Sequence, residues 1–580
     1  MANKSTADKV ATIQKGYALE GATIELGAAI VDGELHKDAP VRLPLSMMNR
    51  HGLVAGATGT GKTVTLHMMA EQLSTAGVPV FLADIKGDLS GLATAATGSD
   101  KLAKRTGSIG QAWSGKRFPV EFLALGGDGD GIPVRATITS FGPILLSRIL
   151  ELNDTQESSL QLVFHFADKN NLELVDLKDL RAVIQFLTSD EGKEALNELG
   201  GLSKATAGVI LRELVALEAQ GMERFFGEPE FDTAELLRTA PDGRGVISCL
   251  ELPTLQTKPM VFSTFLMWLL ADLFEDLPEA GDLDKPKLVF FLDEAHLLFN
   301  DASKAFLAAI TTTVRLIRSK GVGIFFVTQT PKDVPADVLG QLANRIQHAL
   351  RAFTPEDAKA LKATVSTFPV SDYDLEETLT SAGIGEAVVT VMNESGAPTP
   401  VALTRLRAPE SVMGPSPAEL VRSTVAGSAL LAKYGTGVDN VSAYEKLTGK
   451  AGASTGAAAP GQPPAPAPEV FVPGNPDQAA IDDEARRIEE EILGRPSSRQ
   501  PGDWQPGSSW PSGGRAGAED LPAPPAKRRT PPSGDMMEDI SGALGGVLGS
   551  GLKSMARSMG TQLGRELLRG VFGTSSRRRR

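Results

Sequence analysis

At 580 residues the chain is longer than one ordinary domain and long enough to bury a large core. Hydrophobic residues make up 42% and charged residues 22%, an ordinary globular balance, and the formal net charge of -13 excludes a chain-wide basic field that would gather nucleic acid. The single cysteine, Cys249, excludes an intramolecular disulfide and a multi-cysteine metal site, and fits a cytoplasmic location.

The N-terminal stretch MANKSTADKVATIQKGYALE lacks the apolar core of a secretory signal. Residues 1–50 contain short alternating stretches (ATIELGAAIV, APVRLPL) that predict a short N-terminal β segment. Over 51–407, apolar runs of strand length alternate with helical patterns, which predicts an α/β core with a mainly parallel sheet. The predicted strands are 52–56, 78–84, 245–252, 287–294, 321–329 and 386–393, continuously apolar as expected when helices cover both faces. A helical insertion is predicted over about 91–244, from the spacing in Pro143–Asn171, Leu177–Glu198 and Ala205–Gln220. Met260–Ala271 is strongly apolar but shorter than the ~20 residues that span a bilayer, and reads as a buried helix. A helical extension follows over 408–449. Residues 450–535 are a Pro/Gly/Ala-rich linker holding one short charged helix, an ordering pattern that cannot pack a core and predicts a partly disordered tail. The chain closes on a basic, Gly-rich helical candidate over 536–580 that ends in Arg577–Arg580.

The segment GATGTGKT satisfies GxxxxGK[ST] at Gly56, Gly61, Lys62 and Thr63. An apolar strand precedes it and a helical run follows. In that setting Gly56, Ala57, Thr58, Gly59, Thr60, Gly61, Lys62, Thr63 and Val64 present backbone N–H groups and a helix N-terminus to nucleotide phosphates. Lys62 reaches the β/γ-phosphates and the Thr63 hydroxyl ligates Mg²⁺. Metal and water need a second constellation, and KLVFFLDEAH supplies one: Asp293 suits the Mg²⁺ shell, and Glu294 suits the polarising of attacking water. His296 reads as local packing or hydrogen bonding. The tetrapeptide DEAH does not by itself make a DEAH-box helicase.

GVGIFFVTQT ends in Thr328 and Gln329; an amide there is either a γ-phosphate sensor or a strand-end cap. Ahead of it, Arg315, Arg318 and Lys320 sit on a helix end, where an arginine serves either a neighbouring subunit as an arginine finger or only the surface, and Arg345 is a further candidate. Asp84, Lys86, Gly87 and Asp88 follow the second strand, facing the same crevice or simply forming a turn.

In this order GATGTGKT, VFLADIKGDLSG, LVFFLDEAH and RSKGVGIFFVTQTPKDVP resemble the HerA–FtsK clade of P-loop ATPases. NRHGLVAGATGTGKTVTLHMMAEQLSTAGVPVFLADIKGDLSGL and LEAQGMERFFGEPEFD are similar, more narrowly, to the bacterial HerA-like (YjgR-type) family, over roughly residues 17–450. The resemblance implies a RecA-like core, ATP and Mg²⁺ as cofactors, ring-forming homo-oligomers (often hexamers) and ATP-driven movement of a polymer, most often double-stranded DNA. It assigns phosphates to Lys62 and Thr63, metal and water to Asp293 and Glu294, sensing to Gln329, and the arginine acting in trans to Arg318. HerA proper carries an N-terminal β-barrel. About fifty residues precede the P-loop here, too few for a barrel with its connections, which leaves a HerA-style nuclease partnership open.

The leading expectation is therefore an ATP-hydrolysing DNA translocase or helicase-like motor. The insertion and the loop near Lys332–Pro335 are the candidate polymer contacts. The alternatives are an ATP-regulated assembly or scaffold protein that moves nothing, and a protein-translocating ATPase, which no transmembrane segment supports. In the tail, Lys553, Arg557, Arg565 and Arg569 recur near helical spacing. That pattern suits docking on a partner, anionic lipid or phosphate backbones, or packing back on the same fold.

Overall fold

The computed structural model describes residues 5–198, 201–252, 259–299 and 304–449. The expected linker and terminal basic helix over 450–580 lie outside the described residues. Twelve strands of the described chain form one sheet. They are β1 (Thr23–Val31), β2 (Glu34–Pro44), β3 (Gly52–Ala55), β4 (Val80–Asp84), β5 (Val120–Leu125), β6 (Ile132–Val134), β7 (Ile247–Glu251), β8 (Leu288–Leu292), β9 (Val322–Thr328), β10 (Asn344–His348), β11 (Glu386–Thr390) and β12 (Ala402–Leu406). Their spatial order is β2-β1-β12-β11-β10-β3-β9-β8-β4-β7-β5-β6. From β10 to β6 every pairing is parallel. From β10 out to β2 every pairing is antiparallel.

Burial explains this division. The parallel strands β3, β4, β8 and β9 are buried at every position, which suits runs such as LVFFL and VGIFFVT to a sheet covered on both faces. The antiparallel β12 instead alternates buried and half-buried residues, as a strand with one wetter face does. Aromatic pairs knit the parallel strands together, with ring centroids 4.9 Å apart for Phe81–Phe290 and 5.3 Å for Phe291–Phe325. The apolar run around Met260 lies in the helix Pro259–Asp276, whose Phe262, Leu266 and Trp268 are buried. No helix of the described residues is long and apolar enough to cross a membrane.

The six predicted strands hold β3, β4, β7, β8, β9 and β11. The small strands expected before Arg50 are β1 and β2, a hairpin joined to the same sheet through β12. Residues 91–244 do carry the helices Ile138–Ile149, Asp154–Lys169, Leu177–Thr188 and Lys204–Ala219, but they are not wholly helical: after the short helix Asp100–Ser108, β5 and β6 extend the sheet beyond β7. VEFLAL is short and interrupted by Glu121, so it shows neither the unbroken apolar run of the predicted strands nor a regular alternation, and Gly126, Gly127 and Gly129 turn the chain after it with positive φ.

The helix Lys62–Thr75, which starts on the P-loop, is held on the sheet by two polar devices. The Gln72 side-chain amide exchanges hydrogen bonds with the Glu25 backbone of β1, at 2.8 and 3.0 Å. Buried Glu71 accepts the N–H groups of Glu410 and Ser411, each at 2.8 Å, so the chain leaving β12 straps over the helix.

Candidate active site

The loop Gly56–Gly61 leaves the carboxyl end of β3 and enters the helix Lys62–Thr75, with Gly59 at φ 78° and Gly61 at φ 113°. Those left-handed values are why glycine is required at both positions. Gly56 is needed for space instead, since a Cβ there would stand 2.4 Å from that of His348. Gly61 caps the helix without any side-chain hydrogen bond, so the first-turn N–H groups are offered to an anion. The loop is tied from three sides: Gly56 N–H to Thr328 O at 3.2 Å, Ala57 N–H to Ala349 O at 2.9 Å, and Gly385 N–H to Thr60 O at 3.0 Å.

Lys62 is half-buried and its ammonium donates to Gly56 O at 2.7 Å and Ala57 O at 3.3 Å. Burial lowers its pKa, and the charges of Glu294 and Asp293 oppose that shift. Thr63 and Val64 occupy the same first turn, both half-buried.

Asp293 and Glu294 lie just past the end of β8, two strands from the loop, with β9 between. Asp293 is buried, and burial pushes its carboxyl up to about 6 while Lys86 pulls it back down. Glu294 adopts φ 47°, a left-handed conformation that costs a non-glycine residue energy. Ala295 N–H bonds Val327 O at 2.9 Å and pins the strained turn to β9. Lys86 forms an ion pair with Glu294 Oε1 and stands 3.8 Å from Asp293 Oδ2. Burial works against the Lys86 charge, but the two carboxylates outweigh it and its pKa is raised. Glu294 Oε2 is buried without a hydrogen-bond partner among the described residues, although His296 Nδ1 lies 3.2 Å away.

Among the described residues no group of three or more His, Cys, Asp or Glu side chains could hold a metal alone. The donors present, a threonine hydroxyl in the loop's helix and one buried carboxylate, fit Mg²⁺, which completes its shell with water and phosphate oxygens.

The remaining candidates separate. Asp84 closes a turn: its carboxylate accepts N–H bonds from Gly87 (2.7 Å), Asp88 (3.2 Å) and Leu89 (2.9 Å). Lys86, carried on that turn, enters the site. Gln329 is exposed at the carboxyl end of β9, while Thr328 beside it donates to Asp333 at 2.8 Å. Arg318 and Arg315 are exposed and lie before the amino end of β9, about 20 Å of strand away from its site end. Lys320 is buried, donates to Leu277 O at 2.7 Å and stacks on Phe274. Arg345 donates to Thr367 O at 3.3 Å. Both therefore serve packing within their own surroundings.

Sequence reasoning missed the residues that back the loop. β10 reads NRIQH, too polar for a central strand by pattern. Its polar side chains are nevertheless consumed: Asn344 donates to Met47 O (3.0 Å) and His51 O (2.9 Å), Gln347 donates to Ala55 O (3.2 Å), and His348 bonds Thr65 Oγ1 (2.9 Å). Arg105 donates to Gly385 O at 2.8 Å, behind the contact with Thr60. No local signal marks these residues, since each partner lies far along the chain.

The chain is 22% identical over 363 residues to the DNA double-strand break repair helicase HerA of Saccharolobus solfataricus, covering 61% of this chain and 64% of that protein's length. Among solved structures it is similar to the bacterial conjugative coupling protein TrwBdeltaN70, with a TM-score of 0.44, 15% identity, and coverage of 71% of this chain and 95% of that one. It is also similar to VirB4 of Thermoanaerobacter pseudethanolicus, with a TM-score of 0.43, 16% identity, and coverage of 67% and 97%. The helicase HerA-like C-terminal family model matches residues 30–492. With that match over most of its length, and with the Gly56–Gly61 loop after β3, adjacent carboxylates after β8 and a polar strand end between them in one sheet, the chain belongs to the HerA-like C-terminal family.

Proposed function

We propose that this protein is an Mg²⁺-dependent ATPase that works as an oligomeric motor on duplex DNA. The observation that carries this reading is that the phosphate loop after β3 and Asp293 and Glu294 after β8 follow the carboxyl ends of parallel strands on either side of β9. Lys62 and the first-turn N–H groups bind and orient the phosphates. Thr63 and Asp293 hold the metal, which supplies charge neutralisation at the β/γ-phosphates when bound. Glu294 orients and polarises the attacking water, and Gln329 registers the γ-phosphate from the end of β9. Arg318, exposed and remote from its own loop, is suited to reach the nucleotide of a neighbouring subunit in a ring. The HerA relative's name supports DNA as the polymer, and the net charge of -13 directs that contact to a local surface.

The test is ATP turnover by the full chain at low salt, with and without duplex DNA, using Lys62→Ala as the blank. Native mass is measured in parallel with Mg-ATP. DNA-stimulated turnover by an oligomer supports the motor. Turnover that no length or structure of DNA changes, or a chain that stays monomeric throughout, overturns it. Steady DNA-independent turnover by an oligomer would instead point to the assembly role or to protein translocation.

A further inference from the structure

We infer that Lys86 is a positioning residue that restrains Glu294, competing with the metal for the paired carboxylates. The inference rests on the ATPase reading above and goes beyond its assignments.

The restraint has a built mount. Asp84 is buried, and its carboxylate takes three consecutive turn N–H groups, so the backbone that carries Lys86 is stiff. The next segment is fastened as well: Ser416 N–H bonds Ser90 Oγ at 3.0 Å, and Ser416 Oγ donates to Ser90 O at 2.8 Å. Only the lysine side chain is left to move. It is 42% exposed, while Asp293 and Glu294 are 6% and 11% exposed, so the cation has room to swing out and the carboxylates do not.

The ammonium engages Glu294 Oε1, while Oε2 is buried with His296 Nδ1 3.2 Å away. A glutamate that polarises water needs lone pairs free to accept that water's proton, and the lysine takes those of Oε1. The same ammonium lies 3.8 Å from Asp293 Oδ2. A divalent cation arriving at Asp293 repels it, so metal binding and release of Glu294 are coupled. Lys62 also interacts with both carboxylates and with Lys86. A loop-end cation that yields to the metal lets Glu294 act only once Mg-nucleotide is seated.

The experiment compares wild type, Lys86→Met, Lys86→Gln and Lys86→Arg as full chains. One readout is the Mg²⁺ concentration for half-maximal binding of a fluorescent ATP analogue. The other is DNA-free turnover at saturating Mg-ATP. Lys86→Met and Lys86→Gln are expected to lower the Mg²⁺ half-point and raise DNA-free turnover, each by about threefold to fivefold, the scale of one partly exposed ion pair. KM for ATP should stay near wild type, and Lys86→Arg should restore wild-type behaviour. Unchanged half-points and turnover in the neutral variants overturn the restraint. So does turnover lost with analogue binding intact, or Lys86→Arg behaving like Lys86→Met. A wild-type chain that neither binds nor hydrolyses Mg-ATP overturns the ATPase reading together with the restraint. A wild type that hydrolyses while the neutral variants match it overturns the restraint alone.

Discussion

His51 sits at φ 58° immediately before β3, its Nδ1 accepting Ile324 N–H at 3.0 Å and its Nε2 donating to Val314 O at 2.7 Å. Both bonds suit one neutral tautomer, and burial holds the ring's pKa down to about 4 against an ordinary 6.5. The unfolded chain therefore binds more protons between those values, so stability rises with pH across the window and is lost as pH falls from 6.5 towards about 4. The contribution of this one ring is about 3 kcal/mol. His51→Gln, which offers both an acceptor and a donor, should flatten the pH dependence of the unfolding free energy between pH 6.5 and 4 by that amount. Urea titrations at several pH values would show it, and an unchanged slope would refute it. Raised carboxyls such as Glu71 and Asp84 act in the opposite direction, so the difference between variant and wild type is the informative quantity. The P-loop and the Asp293–Glu294 pair were legible in the sequence because their chemistry is written in consecutive residues. His51 was not, because its two partners sit on other elements, and nothing in NRHGLVAG distinguishes a buried ring from a surface one.

At the scale of elements, the helix Lys62–Thr75 depends on contacts its own sequence does not announce. Its burial is spread over much of its circumference, so the usual one-sided stripe is missing. Glu71 would be read as surface charge, yet it is 3% exposed and anchors the segment after β12 through Glu410 and Ser411. Glu71→Gln keeps one acceptor and introduces a buried donor facing N–H groups. The expected cost is about 2 kcal/mol of unfolding free energy, measured by urea denaturation, with the Mg²⁺ half-point for nucleotide left within error of wild type. A neutral result would mean that the strap is held by other contacts. The same logic explains β10, a central strand hidden from pattern reading because Asn344, Gln347 and His348 are buried and bonded rather than apolar. β5 and β6 were hidden for a different reason, being short, and β5 interrupted by Glu121, within a stretch where helical spacing dominated.

For the whole molecule, the sheet separates the proposed nucleotide-binding residues from Arg318. The phosphate loop, Asp293, Glu294 and Gln329 follow the carboxyl ends of parallel strands, whereas Arg318 precedes the amino end of β9. A chain cannot bring its own Arg318 to its own loop without unfolding β9, so any catalytic use of it requires a second copy. Arg318→Ala and Glu294→Gln should each be nearly inactive alone, with losses of about 10²-fold or more. Mixed in equal amounts, they should regain a measurable fraction of wild-type turnover, because some interfaces then pair an intact Glu294 with an intact Arg318. Mixtures no more active than the separate variants would remove Arg318 from the reaction.

The order of strands also sets a timetable for biosynthesis. β3 is flanked by β10 and β9, and neither emerges until the ribosome has passed residue 322. At about 5–20 residues per second, that delay amounts to about 15–50 s after β3 has been made. During it the phosphate loop has no neighbouring strands to stand on, and the apolar LVA of β3 lacks the partners that bury it in the finished sheet. The nascent chain therefore carries its most recognisable motif long before it can bind a nucleotide, and acquires that capacity only after β9 and β10 have been made.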